Sequence, residues 1–196
     1  MEALPDDSTL RHHLFMRLFR HKFESIRDLY VHELRDLYNS EIRLLQALPQ
    51  MADAAKSVEL KALFLNHLIV TRIHAARLEA ILQNLAEHPN GEKCQGMQGL
   101  IDEAFEYVNA AGPDEVRDAG LVGAAHRIEH YEMAGYSAAR SLALRIGDET
   151  AADLMRSTLT EECEADEMLL SVAESIGVAE KKSDFAACDT NISEPV

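Results

Sequence analysis

The sequence predicts an all-α chain built around a four-helix bundle with one long crossover, and three observations predict it. Ala, Leu, Glu and Arg dominate, while 196 residues include only nine glycines and five prolines, a composition that favours helices over strands. Apolar residues recur at helical spacing through four long segments. The joins between those segments are tight, long and tight in turn.

Residues 1–23 form an extension ahead of the bundle, of which residues 1–9 are expected to be disordered. Residues 10–23, LRHHLFMRLFRHKF, read as a short amphipathic helix, with Leu14, Phe15 and Leu18 on one side and the basic residues mostly on the other. Such a helix packs on its own domain or a neighbouring subunit, or docks a partner or a membrane surface. Its shortness and few charges favour packing.

The bundle is expected over residues 24–177. Its first helix, about 24–55, carries Ile26, Tyr30, Glu33, Leu37, Glu41, Leu44 and Leu48 on one face, so two carboxylates fall on a core stripe. Pro49 should end or kink it, and the helical reading of QMADAA beyond favours a kink. The second helix, about 58–87, turns inward Leu60, Leu63, His67, Val70 or Thr71, His74, Leu78, Ile81 and Leu85; His67 and His74 are two turns apart on the same side.

The crossover, about 88–117, opens on the turn signal His88-Pro89-Asn90-Gly91 and contains one short helix, about 97–109. Pro113 followed by Asp114 and Glu115 marks the start of the third long helix, about 114–146. Its inner stripe runs Leu121, Ala125, Ile128, Glu132, Gly135, Ala139, Leu142, Ile146, with Glu129 one turn before Glu132. Gly147 is a natural stop and Asp148 a natural N-cap. The fourth helix, about 149–177, turns inward Leu154, Thr158, Glu161 or Glu162, Ala165, Leu169, Val172 and Ile176. The polar residues 178–196 are expected to be a disordered tail.

Two tight joins flanking one long one are the ferritin-like arrangement. A weak internal repeat supports it. One constant offset pairs Glu41 with Glu132, Leu63 with Leu154, Leu68 with Leu159, Thr71 with Glu162 and His74 with Ala165.

Charge and cysteines narrow the function. A net charge of −15 argues against non-specific nucleic-acid binding, which needs clustered Lys and Arg; the one basic cluster is the N-terminal Arg11, Arg17, Arg20 and Lys22. Cys94, Cys163 and Cys188 are odd in number and lack CxxC spacing, so a reducing compartment is expected. The start, MEALPDDSTL, has no signal-peptide pattern, and no apolar run approaches the ~20 residues that span a bilayer. A soluble, cytoplasmic protein follows as an expectation.

Each long helix thus places a ligand-type side chain in the middle of the core. Glu41, His74, Glu129, Glu132 and Glu162 are the candidate metal ligands, with Glu33, His67 and Glu161 behind them. Carboxylate oxygens and imidazole nitrogens suit iron, manganese or zinc. The usual di-metal pattern takes one Glu from each of two helices and Glu-x-x-His from each of the others. Here Thr71 stands where the second helix would carry Glu, and Ala165 where the fourth would carry His. Ion pairs with Arg35, Arg43, Arg77 or Arg127 are the alternative. His126 and His130, an i, i+4 pair off the main stripe, read as surface or subunit contacts, since no third ligand is evident.

HELRDLYNSEIRLLQALPQMADAA, LNHLIVTRIHAARLEAIL, GEKCQGMQGLIDEA and RIEHYEMAGYSAAR with TLTEECEADEML resemble the YciE/YciF family of ferritin-like bacterial proteins, over roughly residues 24–175. The resemblance implies a cytoplasmic, usually dimeric bundle linked to stress responses. It carries the site to Glu41, Glu129, Glu132 and Glu162, with His74 where the family often has His or Gln. Val70 departs from the family, which commonly has Glu there. Two function readings stand: a di-iron or di-manganese protein acting on peroxide or O₂, and a non-catalytic interaction bundle whose acidic layer makes only ion pairs.

Overall fold

In the computed structural model, which describes residues 23–177, five helices follow one another with no strand among the described residues. The amphipathic segment expected over 10–23 lies, Phe23 apart, outside them, as do residues 1–9, Cys188 and the tail 178–196. The helices are α1 (Ile26–Ala54), α2 (Val58–Asn84), α3 (Gln95–Val108), α4 (Asp114–Ile146) and α5 (Glu149–Ser175). They are the four long helices and the crossover helix that periodicity predicts.

Local chemistry sets their ends. Ser25 caps α1 in a reciprocal box: its hydroxyl accepts from the Asp28 N–H at 3.1 Å, and its own N–H donates to Asp28 at 2.9 Å. Ser57 caps α2 and Asp148 caps α5, each through its side-chain oxygen. Gly147 takes a left-handed φ of 81° and closes α4. α1 runs through Pro49 to Ala54, so the proline does not end it. α2 stops at Asn84, short of the expected 87, because Ala86 adopts φ 59°. The Ala86 and Glu87 N–H groups then bond back to the Gln83 and Leu82 carbonyls, a closure that usually employs glycine.

α1 packs on α2 and α4 on α5; α1 also meets α4 and α2 meets α5, while α3 lies against α1 and α4. Three glycines permit close approaches. A Cβ on Gly120 would run into the Tyr107 ring, one on Gly96 would lie 2.6 Å from the Tyr131 hydroxyl, and one on Gly135 would lie 2.8 Å from Leu37. The buried apolar residues form two clusters. One gathers Leu44, Leu48, Met51, Phe64, Leu121, Ile128 and Leu169 with α3 residues Met97 and Ile101. The other gathers Tyr30, Leu34, Leu37, Leu78, Leu82, Tyr136 and Met155. Along all four long helices the polar core residues, Asp118 apart, fall between these clusters, so a polar layer divides the core.

The positions paired by the repeat share their burial. Glu41 and Glu132 are both buried, as are Thr71 and Glu162, and His74 and Ala165, while Leu63, Leu154, Leu68 and Leu159 are all half-buried.

Asp118 on α4 is a buried carboxylate that periodicity did not single out. It accepts from the Lys56 N–H at 2.9 Å and the Ser57 N–H at 2.6 Å, holding the α1–α2 turn. Asp118→Ala should cost roughly 3 kcal/mol, because charge-assisted bonds are lost and two amides are left unpaired. Urea denaturation measures this; a loss below about 1 kcal/mol, the worth of one neutral bond, would mean that the turn holds without Asp118.

Candidate metal centre

The polar layer consists of Glu41 from α1, His67 and His74 from α2, Glu129 and Glu132 from α4, and Glu162 from α5, none more than 4% exposed. Helical geometry puts them there. His67 and His74 are two turns apart with the buried Thr71 between them, and Glu129 and Glu132 are successive inward positions of α4.

These side chains sort into two groups that share a member. Glu41, His74 and Glu162 form one, and His67, Glu129, Glu132 and Glu162 the other; within each, one ligand atom per residue lies within 4.8 Å of all the rest. Glu162 Oε1 is 2.8 Å from His74 Nδ1, and its Oε2 is 3.7 Å from His67 Nε2. One carboxylate thus faces both groups, one oxygen to each. His67 Nε2 is also 3.4 Å from Glu129 Oε1, and His74 Nδ1 is 3.7 Å from Glu41 Oε1.

Many of the facing atoms converge without bonding to one another. Both oxygens of Glu132, Glu162 Oε2, one oxygen each of Glu41 and Glu129, and His67 Nε2 have no hydrogen-bond partner, whereas His74 Nδ1 and Glu162 Oε1, 2.8 Å apart, form an ion pair. Buried polar atoms are nearly always satisfied, and leaving so many unpaired is costly. The arginines near in sequence do not pair with them. Arg35 binds Glu87, Arg43 binds Asn39 and Gln98, Arg77 binds Glu161, and Arg127 lies near Glu103. Among the described residues no Lys or Arg forms an ion pair with Glu41, Glu129, Glu132 or Glu162.

Protonation carries the balance instead. Burial, reinforced by the neighbouring carboxylates, holds Glu129 and Glu132 well above the usual carboxylate range. Burial and Glu162 raise Glu41 to about 8, against the opposing pull of His74 and of the Tyr136 hydroxyl, which donates to Glu41. Burial draws His74 down, but Glu162, Glu41 and Glu161 outweigh it and lift the imidazole to about 9. Burial lowers His67. Burial raises Glu162, yet the two histidines prevail and leave it lowered.

Glu33 and Glu161 do not join the layer. Glu33 is half-buried because Leu34, not Glu33, shares the inward face with Tyr30, Leu37 and Glu41; at 100° per residue Glu33 is turned well away from Glu41. Glu161 is 34% exposed, accepts from Arg77 Nη2 at 2.9 Å, and lies 2.7 Å from His74 Nε2. It fixes the ring so that Nδ1 faces Glu41 and Glu162, the arrangement by which an outer carboxylate orients a ligand histidine. His67, by contrast, belongs fully to the layer.

The donors fit a di-metal site. The usual set is four carboxylates and two imidazoles, and Glu41, Glu129, Glu132, Glu162, His67 and His74 make up that same set. Only the distribution differs. His67 and Glu129 supply from other turns what Thr71 and Ala165 lack. A cleft of about 100 Å³ reaches His67 between α2 and α5, lined by Asn66, Val70, Glu161, Ala165 and Met168 among others. Val70 and Ala165, two of the three departures from the expected motifs, line this cleft.

A family model described as a domain of unknown function, DUF892, matches residues 25–182. The chain belongs to the DUF892 family. The similarity to YciF expected from the motifs also holds. The protein YciF of Escherichia coli is 36% identical over 151 residues, which cover 76% of this DUF892 chain and 91% of YciF. The crystal structure of that stress protein superposes with a TM-score of 0.76 at 35% identity, covering 79% of this chain and 98% of the other. YcfI from Rhodopseudomonas palustris gives 0.75 at 32% identity, covering 79% and 99%. A two-domain protein from Anabaena variabilis, containing DJ-1/ThiJ/PfpI-like and ferritin-like domains, gives 0.53 at 18% identity, covering 94% of this chain and 48% of that one. These likenesses place the DUF892 fold among ferritin-like bundles. No helix among the described residues is long and apolar enough to cross a membrane.

Proposed function

We propose that this DUF892 chain is a di-metal carboxylate protein that holds two iron or manganese ions in the polar layer and acts in a cytoplasmic stress response. Zinc also suits the donors. The observation that carries the reading is Glu132, fully buried with both oxygens unpartnered in the company of three further carboxylates. Cations would satisfy these atoms together. The bound pair supplies electron transfer toward O₂ or peroxide, and the roughly 100 Å³ cleft at His67 suits access by a molecule of that size. The stress role is taken from the E. coli stress protein YciF. The alternative, a bundle whose layer makes only ion pairs, accounts for His74 with Glu162 but is disfavoured by Glu132, whose two oxygens have no partner.

The test is metal content after anaerobic reloading of untagged protein with Fe(II). About two irons per chain are expected, and Glu132→Ala should lose at least the ion of its own group. No iron retained by the intact chain would leave the layer structural.

A homodimer is part of the reading. Leu65, Ile69 and Ile73, at 44%, 56% and 46% exposure, form an apolar stripe one turn apart along α2. Sedimentation should show a dimer that Ile69→Glu dissociates; a monomeric wild-type chain would remove this part.

A further inference from the structure

We infer that His126, His130 and Asp166 form a separate divalent-cation site of the zinc class, open to solvent on the α4–α5 face. The two histidines are one turn apart on α4, and their rings lie 4.4 Å apart between centroids. Asp166 comes from α5 and lies between them. It faces His126 Nδ1 with one oxygen and His130 Nε2, at 3.2 Å, with the other. One ligand atom from each residue falls within 4.8 Å of the other two. The α5 carboxylate is the third ligand that the i, i+4 spacing alone does not reveal.

The chemistry favours a borderline cation. Two imidazoles and one carboxylate are a common zinc ligand set, leaving a fourth position for water. The burial is graded: the Asp166 side chain is 11% exposed, His126 28% and His130 54%, so a carboxylate floor carries two rings that open outward. A net charge of −15 draws cations to the surface generally, and the imidazoles select among them. The residues are distinct from the buried layer, so this site stands whether or not that layer binds metal.

The test is zinc retained after equilibrium dialysis with ZnCl₂, comparing the wild-type chain with His126→Ala/His130→Ala. Both histidines are at least partly exposed, so folding should survive, as circular dichroism would verify. The wild type should hold one more zinc per chain than the double variant, and the Glu162→Ala chain should keep that ion. His130→Ala alone should weaken binding by more than the ~10–100-fold lost with an outer hydrogen-bond partner of a ligand. Zinc should also shift the ring proton resonances of His126 and His130 in the intact chain. Equal zinc in wild type and double variant, with unshifted ring signals, would overturn the site. Loss of buried iron with this zinc retained would count only against the di-metal reading.

Discussion

Glu162→Ala should remove both ions at once, taking iron after anaerobic loading from about two per chain to none. The reason is geometric. Glu162 faces His74 with Oε1 and His67 with Oε2, and it alone belongs to both ligand groups. Glu41 belongs only to the group with His74, so Glu41→Ala should leave one ion on His67, Glu129, Glu132 and Glu162. Glu161→Ala should leave both but weaken the one at His74, since it frees the ring without removing a ligand. Iron content of the three variants, each checked for helicity, decides the matter. A Glu162→Ala chain that keeps one tight iron would show that the carboxylate is not shared.

Metal-free protein should lose stability as pH rises from 5 to 8, by roughly 3 kcal/mol or more, and metal should reverse the trend. The sign follows from the shifts. Glu41 is raised from a usual value near 4.5 to about 8, His74 from 6.5 to about 9, and Glu129 and Glu132 also stand well above the usual carboxylate range. Through this window the folded chain keeps protons that the unfolded chain has released. Each such proton contributes stability that is complete at acid pH and is lost as pH climbs, at about 1 kcal/mol per pH unit. The lowered Glu162 and His67 act oppositely, but only below about 4.5 and 6.5. Cations replace those protons, so metal affinity should rise with pH and loading should release protons. Urea midpoints with chelator and with Mn(II), taken from pH 5 to 8, measure both slopes. Glu132→Leu should flatten the metal-free slope and be neutral or stabilising, since an apolar side chain removes two buried oxygens that have no partner. A metal-free midpoint that rises with pH would sink this account.

Helix number, type and order were legible in the sequence, because periodicity and the Ser, Pro and Gly end signals act locally. The ends missed were those set by a single backbone angle, such as Ala86 at the close of α2. The burial of the paired repeat positions was legible too, since each pair falls at the same place in its helix's apolar spacing. The site was readable in kind: Glu41, His74, Glu129, Glu132 and Glu162 were all on the inward faces to which helical spacing assigns them. Glu33 shows the limit. An error of one position on a helix turns a side chain through 100°, enough to carry a carboxylate out of the core.

By itself the sequence determined that four helices each bring a ligand-type side chain to the core. Only the tertiary structure decided how those side chains are grouped. It made Glu162 the shared member, brought His67 in, gave Glu161 to Arg77, and set Asp166 against His126 and His130. The physical reason is that helical faces follow from spacing along one segment. Partnership depends on the rotation and register of one helix against another, which the packing of distant apolar residues fixes and no single segment encodes.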